Sequence, residues 1–225
     1  AERGLEVRTV GAGHSWSSLV PTDQCLIGLD HHTGLEGFET SEGETYAWLR
    51  AGTRLHTACE LLAAEGWALP IVGSVSQQSI GGLVSTGTHG SSLTWGNLSS
   101  LVRALRVVLP CGTLREVGPD DPDLPGFQLG LGALGVLSAV CLRVVPAFDL
   151  EEHSRPLPFA RALGCLEQVA RDEPYAKLWW LPHTGQVQLS TYRPTTATRS
   201  FSEGSRALDT QINRWGFGAL LAAGR

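Results

Sequence analysis

Apolar residues recur along the chain in short runs separated by turns rich in glycine and proline. Such runs, alternating or continuous, are typical of β-strands. They predict strands at residues 5–10, 25–30, 45–52 and 135–148, and a hairpin of two strands within residues 101–117. Pro146 is expected to close the strand at 135–148.

Two longer stretches, residues 54–66 and 159–171, have the spacing of amphipathic helices. Thr53 precedes the first of them and predicts a side-chain cap, and Gly66 predicts its end. The apolar face of that helix consists of Leu55, Ala58, Leu61 and Leu62. Short strands and helices therefore alternate along the chain.

The composition shifts after the first two-thirds of the chain, where we expect a second domain. Pro156 and Pro158 mark a linker, a helix follows, and two strands are predicted around a turn at residues 183–185. We therefore divide the chain into residues 1–149 and 150–225. Since the chain lacks methionine and starts just before its first strand, we expect a fragment or a processed product. The apolar face of residues 216–225 has no partner in the sequence that follows, so we expect the second domain to be incomplete.

Composition argues against several classes of protein. The net charge of -5 is mild and unclustered, so a nucleic-acid partner is not expected. No apolar run reaches the roughly 20 residues of a membrane span, and no export signal opens the chain, so we expect a cytoplasmic protein. The 5 cysteines are widely spaced without a CxxC pair, which predicts neither a disulfide framework nor a metal site.

Two glycine-containing loops are candidate binding elements. GAGHS, residues 11–15, follows a predicted strand, where successive backbone N–H groups can point at a diphosphate. Trp16 replaces the last glycine of the dinucleotide fingerprint, so an ordinary tight turn is the alternative for this loop. STGTHG, residues 85–90, adds hydroxyl and backbone donors behind the small residues of SIGG, residues 79–82. Together the loops predict a ligand with a phosphate part and a planar part, which FAD fits.

Four ordered motifs resemble the PCMH-type FAD-binding domain of the vanillyl-alcohol-oxidase superfamily, specifically its sugar-1,4-lactone oxidase and alditol oxidase branch. They are VGAGHSWSS, AGTRLHTACELLAAEGWALP, GSVSQQSIGGLVSTGTHGSS and LGALGVLSAVCLRVVP. KLWWLPHT, residues 177–184, resembles the first strand of the substrate or cap domain of that branch. The resemblance covers most of residues 5–192 and implies an α+β fold: two FAD-binding subdomains followed by the start of an α+β cap domain. It also implies that the first strands of the FAD-binding domain are missing from residues 1–149.

The resemblance also implies residues for the cofactor site. His14 corresponds to a histidine that bonds covalently, through an imidazole nitrogen, to the 8α carbon of FAD; from the residues alone, a turn histidine is the alternative. Backbone contacts to the diphosphate correspond to Gly11, Ala12, Gly13 and Ser15. The loop along the diphosphate, ribityl chain and flavin ring corresponds to Gly73, Ser74, Ser79, Gly82, Thr86, Gly87 and Gly90. The strand that flanks the adenosine contributes Val136 and Val140.

Other residues near the motifs have less definite roles. His89 either faces the flavin or makes a structural hydrogen bond within its loop. Trp179 and Trp180 alternate along a predicted strand, so at most one of them faces a pocket. Pro125 and Gly126 interrupt a helix that is longer in the relatives that the chain resembles.

The resemblance implies an enzyme that oxidises an alcohol carbon of a sugar lactone or alditol. Hydride passes to flavin N5, and molecular oxygen accepts the electrons and gives hydrogen peroxide. The catalytic acids and bases are expected in the cap region beyond this chain, so none is assigned. Two alternatives stay open: a dehydrogenase with another electron acceptor, and a degenerate FAD-binding fragment whose missing strands leave sheet edges unpaired.

Overall fold

Eleven strands and four α-helices occur in the residues that the computed structural model describes, 4–180 and 185–198. In chain order the strands are β1 (Val7–Val10), β2 (Cys25–Gly28), β3 (Leu35–Ser41), β4 (Glu44–Arg50), β5 (Trp67–Ala68), β6 (Val102–Val108), β7 (Leu114–Val117), β8 (Val136–Pro146), β9 (Asp149–Pro158), β10 (Tyr175–Trp180) and β11 (Gln186–Thr195). The helices are α1 (Leu55–Ala64), α2 (Ile80–Ser85), α3 (Leu124–Gln128) and α4 (Phe159–Asp172). A 3-10 turn covers Leu98–Leu101.

The strands form three sheets. The largest has the order β3-β4-β8-β6-β7, with β5 paired to β8, and its neighbouring strands are antiparallel. The parallel pair β1-β2 stands apart, with Val7 opposite Cys25. The third sheet has the order β10-β11-β9. Every strand predicted from the sequence is present, whereas β3, β5 and β9 were not predicted.

Helices α1 and α2 pack on one face of the largest sheet and form the main core. Leu55, Ala58 and Leu62 of α1 are buried there, together with apolar residues of β4, β6 and β8. The predicted cap at Thr53 is wrong, because α1 has no side-chain cap. The buried Thr53 hydroxyl instead accepts from Gly34 N–H at 2.9 Å and donates to the Arg50 carbonyl at 2.7 Å. Gly66 follows the helix end with a φ of 79°, as predicted.

Aromatic rings and arginines cover the opposite face of the largest sheet. The Arg106 guanidinium lies 4.1 Å from the centroid of the Trp48 ring, and that of Arg103 lies 4.9 Å from the Tyr46 ring. These contacts shield the buried Cys141, and burial raises the pKa of its thiol far above the ordinary value. This face is therefore closed by the protein's own side chains.

The third sheet begins where the sequence predicted a linker. That prediction is wrong, because Pro156 lies within β9. A proline is tolerated there because β9 is an edge strand. Leu157 packs against Ala162 of α4 and against β11, so the sheet has a small core of its own. The turn predicted at residues 183–185 lies, apart from Gly185, outside the described residues.

Two hydrogen bonds connect the third sheet to the first part of the chain. The Tyr175 hydroxyl donates to the Pro70 carbonyl at 2.8 Å, and Ala176 N–H donates to the Ser91 carbonyl at 2.9 Å. The predicted division into domains, after residue 149, falls at the first residue of β9, and it stays a prediction.

Candidate functional site

An open cavity of about 370 Å³ lies where three segments meet. The first is the loop that follows β1, the second is the start of α2 with the residues before it, and the third is the connection from α3 to β8. Its volume is within the range of small-molecule sites, roughly 300–1,000 Å³. Of the two loops that the sequence indicated as binding elements, all of GAGHS lines this cavity, whereas only Ser85 and Thr86 of STGTHG do.

The loop after β1 forms one wall. Gly11, Ala12, Gly13, His14 and Ser15 all line the cavity. The parallel pairing of β1 with β2 fixes the start of this loop, and a φ of 72° at Gly13 turns the backbone. Such a turn can expose successive N–H groups to an anion.

The start of α2 forms the facing wall. Ile80 N–H donates to the Thr53 carbonyl at 2.9 Å, and Gly81 N–H donates to the Ala51 carbonyl at 2.8 Å. These bonds attach α2 to the connection between β4 and α1. The tight fit of Gly81 supports this attachment, because a Cβ there would lie 3.0 Å from the Cβ of Ala51.

Ser79 joins the two walls. A Cβ on Gly11 would lie 2.0 Å from the Ser79 Oγ, and a Cβ on Gly82 would lie 3.1 Å from it. The hydroxyl is therefore enclosed by glycine backbone at the edge of the cavity. It is also the only buried side-chain N or O atom without a hydrogen-bond partner in the described part of the chain. A buried hydroxyl without a partner is costly, which indicates a ligand group beside it.

His14 is the one titratable side chain among the lining residues of the described chain. The residue is exposed and lies in the loop after β1, which forms the first wall of the cavity. Leu19, Leu26, Leu29 and Leu137 supply apolar surface around it. The described lining residues include no carboxylate, which would repel a phosphate. The imidazole of His14 provides a nucleophilic nitrogen in the wall.

Six of the predicted cofactor residues do not line this cavity: Gly73, Ser74, Gly87, Gly90, Val136 and Val140. Gly73 and Gly90 instead let two segments approach, because a Cβ on Gly90 would lie 2.5 Å from Ile71 and one on Gly73 would lie 2.9 Å from Thr88. Val140 is fully buried in the main core, where it contributes to packing. Cofactor contacts of these six residues stay a prediction.

Two other polar residues of the loop make local hydrogen bonds. Thr86, which lines the cavity, donates its hydroxyl to the Gly82 carbonyl at 2.8 Å, so the oxygen can still accept from a ligand. The His89 Nδ1 lies 3.0 Å from the Gly90 carbonyl, which fits a structural hydrogen bond for this histidine.

Sequence reasoning missed the third wall of the cavity, which consists of Leu131, Gly132, Gly135 and Leu137. These residues lie in the glycine-rich connection from α3, a helix of 5 residues, to β8. The repeated glycines of LGLGALGV were a signal for this wall, because Gly132 and Gly135 have φ values of 76° and 144°. Gly81 and Ser85 also line the cavity; they lie in the predicted binding segments but were not among the individual residues assigned to the cofactor. Gln78, just before those segments, was missed.

Neither a metal centre nor a membrane-spanning helix occurs in the part of the chain that the structure describes. Among the described residues, no three or more His, Cys, Asp or Glu side chains form a group that could hold a metal ion. No helix in the described ranges is long and apolar enough to cross a bilayer.

Comparison with known proteins shows which families the chain resembles. Residues 1–118 match the model of the FAD binding domain family, and residues 140–225 match that of the D-arabinono-1,4-lactone oxidase family. The chain is 35% identical to a Kluyveromyces lactis D-arabinono-1,4-lactone oxidase, over 91% of this chain and 40% of that protein. It is 31% identical to a Mycobacterium tuberculosis L-gulono-1,4-lactone dehydrogenase, over 85% of this chain and 44% of that protein.

The fold is similar to that of a solved structure, the cholesterol oxidase from B. sterolicum. The TM-score is 0.78 at 20% sequence identity, and the similarity covers 88% of this chain and 42% of the other. The predicted α+β fold of the PCMH type and the resemblance drawn from the motifs are therefore confirmed. The chain spans less than half the length of these relatives. Because the matching family model covers residues 1–118, more than half of the sequence, the chain belongs to the FAD binding domain family.

Proposed function

We propose that the protein containing this chain oxidises an alcohol carbon of a sugar lactone with FAD, and that residues 1–149 hold the cofactor. The observation that carries the proposal is the convergence of the GAGHS loop and the Ser79 hydroxyl on one cavity beside His14. The lactone is supported by the match of residues 140–225 and by the names of the two relatives. Residues 150–225 would begin the substrate domain.

The residues at the cavity fit FAD on three counts. The loop at Gly11–Ser15 can direct backbone N–H groups at a diphosphate, which needs donors and no carboxylate. The Ser79 hydroxyl has a free donor at the same place. The leucines of the other walls provide the apolar surface that a planar ring needs.

The chemistry that bound FAD would supply is oxidation of the carbinol carbon, with flavin N5 as the hydride acceptor. This chain's own residues bind and orient the cofactor. His14 would be the covalent attachment point, because a neutral imidazole is a competent nucleophile and lies exposed in the wall. The group that removes the hydroxyl proton is unassigned, and we place it in the part of the substrate domain that follows this chain. Alditols stay the alternative substrate class.

Molecular oxygen is the electron acceptor that we propose, with hydrogen peroxide as product. A second candidate is a dehydrogenase of the same fold, favoured by the relative named L-gulono-1,4-lactone dehydrogenase. Peroxide formation measured with D-arabinono-1,4-lactone and L-gulono-1,4-lactone, in air and with an artificial electron acceptor under nitrogen, separates the two. We also propose a cytoplasmic location, which fractionation of the source cells would test.

The first experiment concerns the attachment of the flavin. The full-length protein is denatured and digested, and the peptide containing His14 is examined by mass spectrometry for an added FAD. An adduct in the parent that is absent from His14→Ala supports both the cofactor and the anchor. FAD that is released on denaturation would refute the anchor only. A protein that binds no FAD would refute the whole proposal and favour a degenerate fragment.

A further inference from the structure

Leu131 has a backbone conformation that does not suit its side chain. Its φ is 51°, in the left-handed region where a side chain other than Asn or Asp is unfavourable. The next residue, Gly132, has a φ of 76°, and Ala133 N–H donates to the Gly130 carbonyl at 2.8 Å. These are the φ signs of a type I′ turn, whose preferred sequence is Asn-Gly.

Within the described ranges one other non-glycine residue, Glu42, has a positive φ, and it is an ordinary case. Glu42 has a φ of 55° and is followed by Gly43 at 80°. These two residues form the tight hairpin turn between β3 and β4, where Ser41 lies opposite Glu44. The hairpin geometry requires the positive φ there, and the charged side chain is exposed to solvent. Leu131 differs on both counts, since it connects a helix to a strand and has an apolar side chain.

The side chain of Leu131 lies at the cavity. It lines the third wall, together with Gly132 and Gly135, and the residue is 48% exposed. An apolar side chain that is half exposed contributes little to packing in this chain, and an asparagine of similar size would suit the turn better. Strain retained at the wall of a binding site indicates a function for the side chain.

We infer that Leu131 is a binding residue that covers a planar ring of FAD, held at the cavity wall by its unfavourable turn. The inference rests on the function proposed above and adds a residue to its cofactor site. The turn places Leu131 at the cavity wall. A ring of bound FAD then covers the apolar surface of this leucine, which is exposed to solvent in the flavin-free protein. The side chain therefore favours ligand binding at the expense of the stability of the free protein.

Leu131→Asn tests this, because asparagine keeps the size, suits the positive φ and removes the apolar contact. Leu134→Asn is the matched control, since Leu134 is 43% exposed in the same connection but does not line the cavity. Both are made in full-length protein carrying His14→Ala, so that a covalent bond cannot mask the equilibrium. The melting temperature of the flavin-free protein and the Kd for FAD, from quenching of flavin fluorescence, are then measured.

Leu131→Asn should raise the Kd for FAD about five- to tenfold, from the loss of roughly half a leucine's apolar contact. The melting temperature of the flavin-free protein should stay the same or rise by about 2–4 °C, because the strain is relieved. Leu134→Asn should leave the Kd unchanged. An unchanged Kd for Leu131→Asn, or a fall in melting temperature that accompanies a weaker Kd, would overturn the inference. If the full-length protein binds no FAD either with His14 intact or as His14→Ala, the proposed function fails as well.

Discussion

Gly11 offers a sharp test of the site, because its surroundings exclude a side chain while its backbone would accept one. Its φ lies outside the left-handed region, so an alanine there causes no backbone strain. The built Cβ, however, lies 2.0 Å from the Ser79 Oγ, whereas ordinary contacts are 3.4–4 Å. Gly11→Ala therefore clashes with the Ser79 hydroxyl, which has to rotate away or push the loop after β1 and the start of α2 apart. After such a rotation the contact stays tight, because the Ser79 Cβ lies 3.1 Å from the new Cβ.

The cost follows from the size of this overlap. Overpacking of this kind costs about 1–3 kcal/mol. For a protein of about 150–250 residues each kcal/mol corresponds to about 2–4 °C, so the melting temperature of the flavin-free chain should fall by about 2–12 °C. The Kd for FAD should rise as well, because the displaced loop carries the donors proposed for the diphosphate.

A double-mutant cycle isolates the contact. Ser79→Ala removes the hydroxyl, and the nearest remaining atom to the new Cβ is then the Ser79 Cβ at 3.1 Å. The pair should recover about 1–2 kcal/mol of the loss. Ser79→Ala alone should not destabilise the flavin-free protein, because it removes a buried hydroxyl without a partner.

Gly13→Ala is the control for the cycle. A Cβ at Gly13 has no atom within 4 Å, but the φ of 72° is unfavourable for alanine. Its cost of about 1–2 kcal/mol comes from the backbone, and Ser79→Ala cannot relieve it. Thermal melting followed by circular dichroism measures all five variants. The close approach of Gly11 to Ser79 would be contradicted if Gly11→Ala melted like the parent, or if Ser79→Ala rescued both glycine variants equally.

Three further predictions concern the rest of the fold. Gly81→Ala should destabilise the protein by about 1–3 kcal/mol in urea titration, because its new Cβ would press on Ala51, in the connection between β4 and α1. An unchanged midpoint would contradict that docking. The Arg193 guanidinium binds Glu173 through two bonds of 2.6 Å and lowers the pKa of that carboxyl below its ordinary 4.5. Glu173→Gln should therefore be less stable than the parent above about pH 4.5, and the difference should vanish as pH falls through the depressed pKa. In the native protein, a disulfide reagent should modify the exposed Cys111, because a threonine hydroxyl lowers the pKa of its thiol. The buried Cys141 should react only on unfolding. Equal rates of modification for the two cysteines would contradict this.

Strands were predictable where their periodicity was strong. The alternation in β4 and the continuous apolar run of β8 reflect central positions in the largest sheet, where one face or both are covered. The edge strand β3 was missed because its sequence, LEGFETS, contains glycine and polar residues. The edge strand β9 was read as a linker because of its prolines. At a sheet edge, backbone groups have no partner on one side, so the sequence is less constrained and the pattern is weaker.

Thr53 shows a different limit of sequence reasoning. A threonine before an apolar helical stretch predicts a cap, because its hydroxyl can accept from the first turn of the helix. In the structure the same hydroxyl bonds Gly34 and Arg50, which belong to the connection before β3 and to β4. A tertiary contact thus uses the Thr53 hydroxyl, to which the local sequence assigned the role of a helix cap. The helix itself was still predicted correctly, since its buried face rather than its cap determines it.

The same distinction explains how much of the candidate site the sequence contained. A glycine in a loop indicates that the backbone turns sharply or that something comes close, but not what that something is. At Gly13 the turn itself is the reason, and at Gly11 it is the hydroxyl of Ser79. At Gly90 it is the segment around Ile71, away from the cavity. The loops could therefore be located from the sequence, whereas their division into ligand contacts and packing contacts depends on distances between distant parts of the chain. Leu131 is the opposite case, because an apolar residue between glycines carries no local signal, and only its positive φ beside the cavity distinguishes it.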